Sequence, residues 1–329
     1  MEKKKKISYA KYGYIFSIPF VVAYLIFSLY PTLYTTVIGF TNLKGVGRTS
    51  WNFLHGNIFA NYVAVLKSPT FITALKNTVK LWIFNFIPQM ILALLLSAWF
   101  TDRRLKIPGK GAFKVLFYMP NIITAATVAI LFAALFGYPM GPVNDILVRL
   151  NIIKKPVFFL SQKAVAQGIL IFIQTWMWYG YTMIIITSGV LGISPDIFEA
   201  ADIDGANGWQ VFWKITIPSI KTILLFTLVT SLIGGLNMFD IPKLFVASSG
   251  PDNATLTTSV FIYNLAFSGG YLYNRASAAS MIMFLIIVIC SALLFYALRD
   301  KDEVALKQQI KKERRAQKLA LKEAHKNEN

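Results

Sequence analysis

Four carboxylates, Asp196, Glu199, Asp202 and Asp204, crowd into one short stretch, and no Lys or Arg follows them before Lys214. Acids at this density without an internal base suit ionic docking of a basic surface rather than a reaction. The usual catalytic constellations are missing from the sequence. No G-x-x-x-x-G-K-[S/T] run is present to cradle nucleotide phosphates. His55 and His325 lie far apart and Cys290 is the single cysteine, so no clustered His/Cys metal set and no intrachain disulfide is available. No nucleophile–base arrangement or pair of carboxylates in a plausible cleft stands out. The expectation is a chain that is not an enzyme and carries no cofactor or metal of its own.

The elements that hold this acidic stretch read as membrane-embedded. Of 329 residues 56% are hydrophobic, 15% are charged and 26 are Phe, an excess of apolar surface for a soluble core. A spanning helix needs about 20 mostly apolar residues. Six intervals free of Asp, Glu, Lys and Arg meet that need: Tyr12 to Leu43, Leu81 to Thr101, Val115 to Asn144, Ala164 to Pro195, Thr222 to Phe239 and Ala276 to Leu298. Two further uncharged intervals, Thr49 to Leu66 and Asn253 to Asn274, are rich in Asn, Thr and Gly and read as loops. The first apolar stretch is too long for the core of a cleaved signal peptide and has no small-residue cleavage site after it. The fold class expected is therefore an all-α integral membrane protein with six transmembrane helices.

Orientation follows from the basic residues. With the N-terminus inside, the same side collects Lys3 to Lys6, Lys11, the cluster Arg103 to Lys114, Lys214, Lys221 and the run from Arg299 to Lys326, most of the 33 Lys and Arg. Both termini are then cytoplasmic. The net charge of +18 restates this bias, with anionic membrane lipid as a contact for the tail and no nucleic acid as partner. The organisation expected is a basic N-terminus over 1–11, a membrane domain over 12–298 containing the acidic loop at 195–218, and a basic tail over 299–329.

Within the loop, Ser194-Pro195-Asp196 reads as a helix start, with Ser as cap, Pro at the first helical position and Asp at the positive end of the dipole. Gly205 and Gly208 are expected to break that helix. Trp209 to Ile217 reads as short and amphipathic, with Pro218 ahead of the fifth span. Outside, Val143 to Leu150 is long enough for a small helix. Polar and aromatic side chains inside the spans are candidates to line a path: Asn85, Gln89, Asn121, Gln174, Trp176, Trp178, Tyr179, Tyr181 and Asn237. Each also suits helix–helix packing. Asp240, reckoned along a straight helix from Ser219 at about 1.5 Å per residue, falls at the outer edge of the bilayer. Gly234 and Gly235 suit a bend or close helix contact.

Glu199-Ala200-Ala201, Gly205, Ile215 and Ile217-Pro218 reproduce, with Ile for Leu before the proline, the EAA-loop signature of the membrane subunits of binding-protein-dependent ABC importers. Around it, Ile203-Asp204-Gly205-Ala206, Ile193-Ser194-Pro195 and Gly141-Pro142-Val143-Asn144 are similar to the carbohydrate-uptake branch, the maltose-type and glycerol-phosphate-type permeases. The resemblance covers nearly the whole chain, from the basic N-terminus with Tyr30-Pro31 in the first span to the last span. It implies a type I importer permease in a bacterial cytoplasmic membrane, whose cytoplasmic coupling helix, carrying Glu199, Ala200, Ala201, Asp202, Asp204, Gly205, Ile215 and Pro218, seats in a separate ATPase. It further implies a pair of such ATPase subunits holding ATP and Mg, a second homologous permease forming a heterodimer, and an extracellular solute-binding protein that delivers a sugar. The rival readings are an ion-coupled secondary carrier, which would place ionisable groups at mid-membrane, and an importer of a non-sugar solute such as glycerol phosphate.

Overall fold

The computed structural model describes residues 10–298, 309–314 and 316–317. The basic N-terminus lies outside the described residues except for its last two positions, and so does most of the tail beyond 298. Among the described residues there is no strand, and one isolated bridge joins Thr41 and Phe53.

The helices follow in order. α1 (Ala10–Tyr24) and α2 (Tyr30–Ile38) are joined by a π turn at Leu25–Leu29. Then come α3 (Ala60–Leu66), α4 (Pro69–Thr101), α5 (Lys110–Ile122), α6 (Ala125–Leu135), α7 (Pro142–Arg149), α8 (Lys163–Leu191) and α9 (Pro195–Ile203). After them lie α10 (Gly208–Gln210), a π segment at Val211–Thr216, α11 (Ile217–Ser219), α12 (Lys221–Leu236), α13 (Asp240–Phe245), α14 (Thr258–Phe267) and α15 (Tyr273–Leu298). Five stretches, Lys11–Ile38, Pro69–Thr101, Lys163–Leu191, Lys221–Phe245 and Tyr273–Leu298, are long and apolar enough to cross a bilayer. A sixth is the pair α5 and α6, bent by 86°. The fold is that of an all-α membrane protein.

Several boundaries depart from the sequence reading. The second span begins at Pro69 rather than Leu81 because charge-free counting stops at Lys80, yet Lys80 belongs to the helix and its Nζ donates to Gln167 Oε1 at 2.7 Å. Thirty-three residues reach about 50 Å, well beyond the ~30 Å hydrocarbon layer, so the helix has length to spare for lysines outside lipid. The third span is not straight. Thr124 takes an extended conformation and its side chain accepts from Thr127 N, starting a new helix. The intervals read as loops each contain a helix, α3 and α14.

The chain divides into two compact units. The first joins Met1–Leu75 to Thr258–Ile286. Its brace is Asn61, one of the polar residues that made its interval look like a loop. Asn61 is buried, its Nδ2 donates to Gly39 O and Thr41 O at 2.9 Å each, and its Oδ1 accepts from Asn274 Nδ2 at 3.1 Å. A buried amide with three partners specifies a packing register that apolar contact leaves open. Phe71 packs on Phe261 close by in this unit, at 5.5 Å between ring centroids. The apolar side chains of α1 face outward, as a lipid-facing surface requires.

The second unit, Lys76–Thr257 with Ile287–Asn329, is built on α8. One apolar cluster gathers Leu81, Val128, Leu170, Ile173, Met177 and Phe245; another gathers Ala93, Phe100, Met183, Ile186 and Ile220. Gly180 lets α5 approach α8 closely, since a Cβ there would stand 2.1 Å from Phe117 O. Trp176 and Tyr179 of α8 also serve packing: Trp176 meets Phe132 of α6 at 5.8 Å and Tyr179 meets Phe117 of α5 at 6.3 Å.

Candidate translocation cavity and coupling loop

A cavity of about 340 Å³ opens within the second unit between α4, α8, α12 and the start of α13, a size at the lower end of small-molecule sites. Six of the nine path candidates, Asn85, Gln89, Gln174, Trp178, Tyr181 and Asn237, line it, while Trp176 and Tyr179 are packing residues. Asn121 does not line it either. Its Nδ2 donates to Met177 O at 3.3 Å, joining α5 to α8 in a packing role. The cavity also takes Trp82, Thr182, Thr227, Thr230, Ser231 and Asp240, which sequence reasoning did not propose as lining. The hydroxyls carry little signal in a sequence because threonines in helices routinely bond the preceding turn, as Thr227 does to Ile223 O at 2.8 Å.

The polar lining is held in place by mutual bonds. Gln89 Nε2 donates to Thr182 Oγ1 at 2.7 Å and Trp82 Nε1 to Ser231 Oγ at 3.3 Å, linking α4 to α8 and α12. Asn85 and Asn237 turn back on Leu81 O and Ile233 O of their own helices, at 3.0 and 2.8 Å. Gln174 Nε2 stands 4.0 Å from Met238 Sδ, a weak acceptor, which keeps donor capacity for a solute. Trp178 and Tyr181 meet edge to face at 5.9 Å. Gly235 provides close contact rather than a bend, because a Cβ there would overlap the Trp82 ring at 2.1 Å.

Asp240 does not continue a straight helix. The helix stops at Leu236, Asn237 to Phe239 break it, and Asp240 opens α13, which packs on α6. Asp240 is exposed to solvent and contributes to the cavity wall. Among the described residues it is the one charged residue of that lining.

The acidic loop is folded by local signals. Pro195 occupies the first turn of α9 with Asp196, as expected. Ser194 does not cap; its Oγ lies 3.2 Å from Asp196 Oδ2 instead. α9 ends where Gly205 adopts φ +72°, with Ala206 N bonding Ala201 O and Gly205 N bonding Asp202 O, the paired bonds that close a helix on a left-handed residue. Gly208 does not break a helix but begins one: Asn207 and Gln210 form a reciprocal capping box at 2.9 Å each way. Ala201 is buried while Ala200, Glu199, Asp202 and Asp204 are exposed; Ile215 is half-buried and Pro218 exposed.

The loop's acids meet bases from its own chain, which the spacing in sequence did not foretell. Arg103 Nη1 lies 3.3 Å from Glu199 Oε1, and Arg104 Nη2 bonds Asp202 Oδ1 and, at 2.9 Å, Ala206 O. The hydrogen bond to Asp202, then that residue's charge, raises the Arg104 pKa above its ordinary value. Among the described residues no cluster of His, Cys, Asp and Glu fit to hold a metal occurs.

Residues 56–301 match the family described as "Binding-protein-dependent transport system inner membrane component". The chain belongs to that family. Among its relatives is a lactose transport system permease protein of Rhizobium radiobacter, 33% identical over 88% of this chain and 94% of the relative. An arabinooligosaccharides transport system permease protein of Bacillus subtilis (strain 168) is 29% identical over 84% and 85% of the two chains. Two solved structures are similar: a bacterial ABC transporter involved in the import of the acidic polysaccharide alginate, and such a transporter in complex with an alginate pentasaccharide-bound periplasmic protein. Both superpose with a TM-score of 0.72, at 25% and 26% identity, over 87% of this chain and 94% and 93% of theirs. This permease is a multi-pass membrane subunit of a binding-protein-dependent ABC importer.

Proposed function

We propose that this permease imports a neutral sugar or oligosaccharide through the cavity lined by Gln89, Gln174, Trp178, Tyr181 and Asn237. Sugars present hydroxyls and flat apolar faces, and the lining answers with amides, hydroxyls and aromatic rings. That lining is the observation that carries the reading. It also weighs against glycerol phosphate, because a phosphate dianion entering would face Asp240 and no Lys, Arg or His. The relatives named for lactose and arabinooligosaccharides support the sugar class.

The chain supplies the path and not the chemistry. ATP and Mg belong to a pair of separate ATPase subunits, coupled through Glu199, Ala200, Ala201, Asp202, Asp204, Gly205, Ile215 and Pro218. A second permease completes the path and an extracellular binding protein delivers the solute, a reading supported by the alginate transporter's complex with a pentasaccharide-bound periplasmic protein. Both termini face the cytoplasm. A ligand shifts such a two-state bundle only by its differential affinity for the two states, so ATP acts here by closing its own subunits and moving the loop.

The test is uptake by the reconstituted complex with its binding protein, comparing labelled lactose, labelled arabino-oligosaccharides and glycerol phosphate. ATP-dependent uptake of a saccharide is expected, lowered about five-fold by Gln174→Leu through loss of a hydrogen bond worth roughly 1 kcal/mol. Uptake of glycerol phosphate in preference to every saccharide would overturn the solute class. Uptake driven by an ion gradient without ATP would overturn the mechanism.

A further inference from the structure

The permease spends two arginines on its own coupling loop. They follow directly on the end of α4, where Arg104 N bonds Asp102 Oδ1 at 2.8 Å and fixes the turn. Arg103 reaches Glu199 and lies over the Phe198 ring at 5.9 Å; Arg104 reaches Asp202 and the carbonyl of Ala206. Together they grip one face of α9 and the turn that ends it. Apolar packing of α9 rests on two residues: Ala201, its one buried residue, and Phe198, which packs against the cluster of Ala93, Phe100 and Val190. Beside them lies a hollow of about 430 Å³ bounded by Trp99, Phe100, Val190, Phe198, Val211 and Phe212.

We propose that Arg103 and Arg104 are positioning residues that strap α9 to the end of α4, so that motion of the coupling loop is passed to the span lining the cavity through Trp82, Asn85 and Gln89. The proposal rests on the coupling role given to the loop above. Two half-exposed ion pairs are individually weak, but their combined geometry, with one guanidinium bridging a carboxylate and a backbone carbonyl, sets a direction as well as a contact. With the strap cut, Phe198 and Ala201 are the apolar contacts left to hold α9 beside that hollow. The strap also engages Glu199 and Asp202 from within the chain, while Asp196 and Asp204 stand outside the ion pairs found among the described residues.

The experiment uses the full complex with ATPase, second permease and binding protein in lipid nanodiscs, with Cys290→Ser removing the native thiol and Thr230→Cys placing a probe on the cavity wall. Maleimide labelling of that thiol is followed without nucleotide and with ATP plus orthovanadate, alongside ATP hydrolysis. With the strap intact, labelling should change with nucleotide. In Arg104→Glu hydrolysis should continue while the labelling response falls about five-fold or more, the scale of an ordinary coupling free energy. The conservative Arg104→Lys, which keeps a cation beside Asp202, should keep most of the response. An equal response in Arg104→Glu and the parent overturns the strap, as does a response or an assembly lost equally in Arg104→Lys. A parent that never responds overturns the coupling reading itself.

Discussion

Gly180 shows how closely a single missing carbon is used. A Cβ at that position would fall 2.1 Å from Phe117 O and 2.8 Å from Phe117 C, backbone atoms with no side-chain freedom to yield. Gly180→Ala should therefore part α5 from α8 and cost about 1–3 kcal/mol, the range for overpacking. Gly168, on the same helix α8, has nothing within 4 Å of its added carbon. Gly168→Ala should leave stability unchanged or slightly raised, because Ala is the better helix former. Thermal unfolding of the purified permease in detergent checks both; equal melting of the two variants would contradict the close approach. At this scale the first helix of the acidic loop was legible because Pro195 and Gly205 act on their own neighbours in sequence, whereas the Asn207–Gln210 box was missed and Gly208 was read as a break. The partners of Glu199 and Asp202 were not, since Arg103 and Arg104 lie about a hundred positions away and only the folded chain brings them together.

Among elements, the long apolar spans were legible from charge-free length, the property a bilayer selects. Their ends and breaks were less so. Lys80 hid the first part of α4 because its charge is met by Gln167, and the 86° bend after Ile122 leaves no mark on an apolar count. The helix α3 was hidden by the same polarity that makes it useful. Asn61→Leu removes bonds to Gly39 O, Thr41 O and Asn274 and leaves those groups buried without it. The cost expected is about 2–4 kcal/mol, one to three for each stranded group with partial relief from relaxation. Limited proteolysis of the 39–61 region should then speed up relative to the second unit; unchanged protection there would contradict the brace.

For the whole molecule, the cavity and the acidic loop both belong to the second unit: α4 and α8 wall the cavity, and the segment after α4 meets the loop. At Asp240 the reckoning assumed a straight rod, whereas the helix breaks after Leu236 and Asp240, exposed to solvent, joins the cavity lining. The polar lining was partly legible. Amides and aromatics stand out in a span, whereas Thr182, Thr230 and Ser231 are too common in helices to announce a path. A separate ATPase is proposed to grip this permease at α9 and the turn behind it. Ile203, at the end of α9, is 86% exposed and offers a direct probe. In the assembled complex, Ile203→Cys in a Cys290→Ser background should crosslink to the ATPase subunit, and ATP should alter the yield. A complex that still imports solute while this thiol captures no ATPase, with or without nucleotide, would contradict the account.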